Sequence, residues 1–323
     1  MSDTVPITIT GAGAWGTALA IQAARSGCAV TLVARTPEAA ATLAVNRVNP
    51  HLPGLALPAG IAVADAPPAG ASVILWAVPM QQLRASLLRW QPSGVPIVLC
   101  CKGVERDTNR LPLEVLADAA PGCPGAVLSG PNFAHEIAAG LPAASVIASR
   151  DAALRDQVAG LIGGGAFRLY GNDDTVGVQI GGAAKNVIAI AAGVVTGAGL
   201  GENARAALIT RGLAELRRLV EVVGGRAETV TGLSGLGDLL LTCTGRASRN
   251  FSLGFALGQG HSLEETLASS HGVVEGVATA EALIARAGAV ELPVCQAVAD
   301  VLAGRQSLTD AMQTLLSRPR RDE

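Results

Sequence analysis

Gly11-Ala12-Gly13-Ala14-Trp15-Gly16 is the first segment whose residue types and spacing can do chemistry. This G-x-G-x-x-G run follows a β-type stretch at 7–10 (ITIT) and opens an alanine-rich helical stretch at 17–25. A second β-type stretch follows at 29–34 (AVTLVA). That context turns a common pattern into a dinucleotide site. Gly11 permits the tight turn, Gly13 lets the backbone approach a pyrophosphate, and Gly16 lets helix and strand pack closely. From Ala14 and Trp15 onward, the free N–H groups and positive dipole end of the helix face the phosphates. An NAD-selective site often carries an acid about 20 residues further on; here the residues are Val33-Ala34-Arg35-Thr36. Arg35 can meet a 2′-phosphate, so NADP(H) is favoured and NAD(H) remains possible. The competing reading is a solvated arginine with no role in discrimination. Nothing here points to flavin in preference to nicotinamide.

Further blocks follow in a definite order. Cys101-Lys102-Gly103 and Ser129-Gly130-Pro131 each end a β-type stretch, and Gly181-Gly182-Ala183-Ala184-Lys185-Asn186 opens the helical half. Then come Asn203-Ala204-Arg205, Thr210-Arg211-Gly212, Gly232-Leu233-Ser234-Gly235-Leu236-Gly237-Asp238-Leu239, Ser248-Arg249-Asn250 and Val273-Val274-Glu275-Gly276. In type and order these blocks resemble the bacterial-type NAD(P)-dependent glycerol-3-phosphate dehydrogenases, from about residue 7 to the C-terminus. The resemblance implies reduction of dihydroxyacetone phosphate to sn-glycerol 3-phosphate at a junction of two domains, feeding glycerophospholipid synthesis. It also implies a homodimer.

Ketone reduction by hydride transfer builds negative charge on the carbonyl oxygen, and a cationic acid beside it can stabilise that charge and deliver a proton. Lys185, between a glycine pair and an apolar run, is the expected catalytic acid; burial there would lower its pKa. The resemblance gives the matching lysine this role. Lys102 stands at the carboxyl end of a strand, where doubly wound folds bind ligands, and the resemblance sets it against both cofactor and substrate. Ser248, Arg249 and Asn250 offer a guanidinium fork and two neutral donors to a phosphate. By resemblance all three bind substrate, and Arg249 also touches the cofactor. Asp238 belongs by resemblance to the substrate site, binding a hydroxyl or holding Lys185; a helix-capping aspartate is the plainer reading. Val273 and Glu275 match late cofactor contacts.

Two departures stand out. The family commonly continues SGP with Ser or Thr and then Phe-Ala-Lys-Glu, whereas this chain has Asn132-Phe133-Ala134-His135-Glu136. Gly130 and Asn132 are still expected at the substrate and Ala134 at the cofactor, while His135 is assigned no catalysis. No His/Cys/carboxylate cluster has metal-ligand spacing, so no metal is expected. Two alternatives stay open: a related dehydrogenase of another hydroxy acid or polyol, and a dinucleotide sensor without catalysis. The phosphate-binding trio speaks against the first. Lys185, Lys102 and Asp238 together speak against the second.

These residues need elements to position them. Further β-type stretches at 72–78, 96–100, 125–128, 144–148 and 167–170 alternate with helical ones, which implies an α/β, Rossmann-like doubly wound sheet with parallel pairing. After about residue 180 the pattern turns helical: Ile209, Leu213, Leu216, Val220 and Val223 form one apolar stripe. Ser262 with Glu265 and Ser307 with Asp310 have the spacing of helix N-terminal capping pairs. The expected domains are 1–180, binding dinucleotide, and 181–323, all-helical and binding substrate. Half of the 323 residues are apolar and only 15% are charged, so cores can form. A net charge of −2 with scattered Lys and Arg argues against nucleic acid. The apolar stretch 186–201 is glycine-rich and short of a span, so it reads as a buried helix rather than a membrane insertion. The start, MSDTVPITIT, has no secretory pattern, and six cysteines without C-x-x-C spacing fit apolar filler in a reducing compartment. The expected location is the cytoplasm.

Overall fold

The computed structural model describes residues 4–270 and 272–317, so the first three residues of the MSDTVPITIT start lie outside the described residues. The chain divides into two compact units: 1–102 with 110–179, and 103–109 with 180–323.

The first unit is built on eight strands: β1 Pro6–Thr10, β2 Ala29–Val33, β3 Ala62–Ala64, β4 Val73–Trp76, β5 Ile97–Leu99, β6 Gly125–Ser129, β7 Ala143–Ala148 and β8 Phe167–Asn172. They form one sheet in the order β3-β2-β1-β4-β5-β6-β7-β8. Helices α1 Ala14–Arg25, α2 Pro37–Asn46, α3 Leu83–Trp90, α4 Pro112–Ala119, α5 Ala134–Ala139 and α6 Ala152–Ile162 connect them. Aliphatic residues of β1, β2, β4 and α1, among them Ile7, Ile9, Leu19, Leu32 and Leu75, are buried in one core. Trp76, Leu83, Leu87 and Leu99 are buried in a second. Strands buried on both faces lose their alternation and read as continuous apolar runs, as VILW does in β4.

Pairing is parallel from β3 through to β6 and again between β7 and β8, but β6 and β7 are antiparallel, with Ser129 opposite Val146. The uniform parallel pairing expected from the alternation therefore needs correction at that junction. The connection between the two strands, residues 130–142, has the six-residue α5 as its only helix and stands at the lower limit of the dozen or more residues that a parallel crossover needs.

The second unit is helical: α7 Thr175–Gly197 (whose first residues belong to unit one), α8 Glu202–Val222, α9 Ala227–Val230, α10 Asp238–Cys243, α11 Arg249–Gly258, α12 Leu263–Ala268, α13 Glu275–Ala287, α14 Pro293–Leu302 and α15 Leu308–Leu316. Ser262 and Glu265 form a reciprocal capping box on α12, and Ser307 caps α15. By length and composition α7 could cross a membrane, yet its most apolar window is wholly buried. What buries it includes α11. A Cβ on Gly193 or Gly197 of α7 would sit 2.1 Å from the carbonyl oxygen of Phe251 or Phe255 respectively. A Cβ on Gly254 or Gly258 of α11 would sit 1.9 Å from Ile190 O or 2.4 Å from Val194 O. Two glycines four apart on each helix let the backbones touch, the close approach that small-xxx-small faces permit.

Candidate active site

On the first unit, the glycine loop is shaped by two contacts no side chain could tolerate. Gly11 has φ +110°, and a Cβ there would lie 2.5 Å from Ala77 O; a Cβ on Gly16 would lie 1.9 Å from Gly11 O. Gly13 is the N-cap of α1 and makes no side-chain cap, which leaves the first N–H groups of the helix facing outward. Among the described residues the buried indole Nε1 of Trp15 has no hydrogen-bond partner. A cradle that any Cβ would fill, a free helix terminus and an unmatched donor fit the pyrophosphate and amide groups of a dinucleotide. Gly11 N–H donates to Val33 O at 3.0 Å, tying the loop to the end of β2 where exposed Arg35 follows. Asn49, which sequence reasoning passed over, braces the loop from outside: its Nδ2 donates to Ala12 O at 2.9 Å and to Thr17 Oγ1 at 2.6 Å. Its only sequence signal was the Asn-Pro pair that starts a turn.

A second cluster forms at the end of β6. Lys102 Nζ donates to Gly130 O at 3.0 Å. Gly130 has φ +151°, and a Cβ there would lie 2.9 Å from Ser145 Cα. Asn132 donates through Nδ2 to Ser145 Oγ and to Ala144 O, while its buried Oδ1 has no donor among the described residues. The antiparallel β7 thus supplies, from its first residues, the support beneath Asn132. Ala134 opens α5, and exposed His135 stacks on Phe133 with ring centroids 5.8 Å apart.

On the second unit, Lys185 projects from α7 and forms an ion pair with Asp238. Its Nζ also donates to Thr242 Oγ1 at 3.0 Å, and that hydroxyl donates to Asp238 O at 2.6 Å. Lys185 is 7% exposed and Asp238 0%. An isolated buried ammonium would be strongly disfavoured; the carboxylate compensates its charge and the hydroxyl fixes its direction. Asp238 stands in the first turn of α10, just after a wide π-type turn at Leu233–Gly237. Such turns recur at functional sites. This one is packed through glycine: a Cβ on Gly181 of α7 would meet Ser234 O at 2.6 Å. Thr242 was missed by sequence reasoning, although it stands one helical turn beyond Asp238 on α10.

Ser248 caps α11, its Oγ accepting from Phe251 N–H at 3.3 Å, which leaves its own O–H free to donate. Asn250 Nδ2 donates to Asn186 Oδ1 at 2.9 Å, and Gly276 N–H donates to Asn250 Oδ1 at 2.9 Å. Asn250 therefore joins the residue after Lys185 to the first turn of α13, where Glu275 stands beyond the exposed Val273. Exposed Arg249 packs over Gly272, where a Cβ would fall 2.7 Å from its Nη1. Each unit brings its own predicted residues together: the glycine loop with the end of β2, Lys102 with Gly130 near Asn132, Lys185 with Asp238, and Asn250 with Gly276.

Known proteins match over almost the whole chain. Residues 6–155 match the family profile described as NAD-dependent glycerol-3-phosphate dehydrogenase N-terminus, and residues 174–313 the corresponding C-terminus. A glycerol-3-phosphate dehydrogenase [NAD(P)+] of Acidiphilium cryptum is 55% identical over 315 residues, covering 98% of this chain and 97% of the relative. One from Caulobacter vibrioides is 52% identical over 325 residues, covering 98% of each. The crystal structure of glycerol-3-phosphate dehydrogenase from Coxiella burnetii superposes with a TM-score of 0.92 at 38% identity, covering 98% of this chain and 99% of that one.

Proposed function

The chain belongs to the NAD-dependent glycerol-3-phosphate dehydrogenase family, and from that premise we propose that it reduces dihydroxyacetone phosphate reversibly to sn-glycerol 3-phosphate with NAD(P)H. The observation that carries this reading is the buried Lys185–Asp238 pair with Thr242 against it. When bound, the nicotinamide supplies the hydride that the ketone carbon receives. Lys185 gives its proton to the carbonyl oxygen as negative charge develops there, and takes it back in the oxidation direction. Asp238 and Thr242 hold the ammonium in one direction before the chemistry starts, so that little reorganisation accompanies the transfer. Lys102 adds a second positive charge for the developing alkoxide or the phosphate, and Gly130 and Asn132 contact the substrate beside it. Arg249, Ser248 and Asn250 recognise the phosphate through a fork and two neutral donors.

For the dinucleotide, the Gly11–Gly16 loop with Ala14 and Trp15 receives the pyrophosphate half, and Arg35 favours the phosphorylated ribose. Ala134, Val273 and Glu275 complete the cofactor contacts with Lys102 and Arg249. The protein works as a homodimer in the cytoplasm and feeds glycerophospholipid synthesis; family membership supports these last assignments.

Oxidation of NADPH by the purified protein, with dihydroxyacetone phosphate beside unphosphorylated dihydroxyacetone, tests the reading. Turnover is expected with the phosphorylated ketone alone. Lys185→Ala should lower kcat by about 100- to 10,000-fold, the usual worth of a positioned general acid, while NADPH still binds. Equal turnover of both ketones, or a Lys185→Ala enzyme of undiminished kcat, would refute it.

A further inference from the structure

Arg35 does not stand alone at the end of β2. Arg89, in the last turn of α3, donates Nη1–H to the carbonyl oxygen of Arg35 at 3.2 Å. Its guanidinium carbon lies 4.3 Å over the ring centroid of Trp90, a cation–π contact that limits its rotamers. Among the described residues neither guanidinium forms an ion pair with a carboxylate. The acid nearest to Arg35 in the chain, Glu38, is engaged elsewhere. Its carboxylate accepts from its own backbone N–H and from the Thr36 hydroxyl at the start of α2, which holds its pKa below the ordinary value.

Arg89 is bonded to the Arg35 backbone, so both guanidiniums belong to the end of β2, and among the described residues neither has a carboxylate to offset its charge; an anion received there compensates both. Arg89 uses one of its five N–H groups on the Arg35 carbonyl, and the remainder can form the parallel pair of bonds that a phosphate accepts. The place also selects the anion. The glycine loop is bonded to the end of β2 through Gly11 and Val33. A dinucleotide whose pyrophosphate lies on such a loop puts its adenosine ribose at the end of the second strand.

Resting on the nicotinamide-cofactor reading above, we propose that Arg89 is the second guanidinium of a 2′-phosphate site. With Arg35 it selects the phosphorylated ribose of NADPH over the free diol of NADH, and Trp90 holds it in position. This assigns a cofactor-specificity role to a helix that carries none of the dinucleotide motif.

The test compares kcat/KM for NADPH and for NADH in the wild-type enzyme and in Arg35→Gln, Arg89→Gln, Arg89→Lys and the double Gln variant. Inhibition by 2′,5′-ADP and by 5′-AMP is measured alongside. Arg89→Gln should lower the NADPH-to-NADH ratio about tenfold, equivalent to about 1.4 kcal/mol, and the double variant should lower it further. Inhibition by 2′,5′-ADP should weaken in parallel, and inhibition by 5′-AMP should not. Arg89→Lys keeps the charge but not the planar fork, and should fall between. If Arg35→Gln loses the ratio and Arg89→Gln keeps it, this proposal is wrong while NADPH selection by Arg35 stands. If the wild-type enzyme prefers neither cofactor and binds 2′,5′-ADP no better than 5′-AMP, both fall together.

Discussion

Replacing Gly254 by alanine sets two effects of opposite sign against each other. Inside a helix such as α11, alanine is favoured over glycine by about 1 kcal/mol. Against that, the new Cβ would lie 1.9 Å from Ile190 O, 2.7 Å from its carbon and 3.0 Å from its Cα, all backbone of α7. Real Cβ contacts essentially never fall below 3.0 Å, so the helices must part by at least about 1.1 Å. Parting them also loosens the neighbouring contacts at Gly193, Gly197 and Gly258. Overpacking a well-filled core costs about 1–3 kcal/mol and sometimes more, and a clash with backbone on both sides belongs at the upper end. We expect a net loss of about 2 kcal/mol, read as a lower midpoint in urea denaturation. The same shift displaces Ser248, Arg249 and Asn250 at the head of α11. A misplacement of about 1 Å can cost about 100-fold in rate, so kcat/KM for dihydroxyacetone phosphate should fall by that order. Gly160 in α6 is the control: exposed, helical, and with nothing within 4 Å of the place its Cβ would take. Gly160→Ala should stabilise by about 1 kcal/mol. If Gly254→Ala stabilises as much, close contact between the helices is refuted as the reason for glycine there.

Two other expectations concern buried titratable groups. Glu215 on α8 accepts from Val294 N–H at 2.6 Å and Cys295 N–H at 3.1 Å at the head of α14. Burial pushes its pKa above the ordinary value, and the two backbone donors offset this only in part. The native state therefore holds the proton more tightly than the unfolded chain, and stability falls as pH rises from about 4.5 through the native pKa, then levels. Glu215→Gln should remove that slope, so the stability difference shifts in the variant's favour over this window. Denaturation curves at several pH values that run parallel for both proteins would count against it. For the thiols, burial pushes Cys100 and Cys243 up to about 12. Iodoacetamide reacts with thiolate, so peptide mapping of the native protein should find both unmodified, with half-buried Cys123 labelled ahead of them. Labelling of either at the rate of the unfolded chain would contradict their burial.

Part of the candidate site's geometry was legible because it depends on local spacing; the rest came from the resemblance. The glycine loop could be read directly, since Gly11 and Gly16 answer backbone demands within six residues, while the place of a Cβ on Gly13 is open. Lys185 could be chosen from its flanks, but its partner could not be fixed: Asp238 lies 53 positions away, and only packing of α10 on α7 decides between a cap and an ion pair. Asn49 was missed because it acts on the Ala12 carbonyl, which carries no sequence signal of its own; Asn250 was named through the resemblance, but its bonds to Asn186 and to Gly276 N–H could not be read. Strand β3 was missed because three residues, AVA, are too few to show a period. The reversed β7 was missed because an alternating pattern reports that strands and helices follow one another, not which way the next strand runs.

The burial of α7 also bears on how the chain is made. A helix of membrane-span length and hydropathy leaves the ribosome before α11, the helix its glycines fit, has been synthesised. At about 5–20 residues per second, the stretch from residue 198 to residue 258 takes several seconds to appear. During that interval the nascent chain offers an insertion machinery or a holdase the very surface that the finished protein hides. Chains stopped near residue 200 expose it permanently, which makes them substrates for quality control rather than half-enzymes.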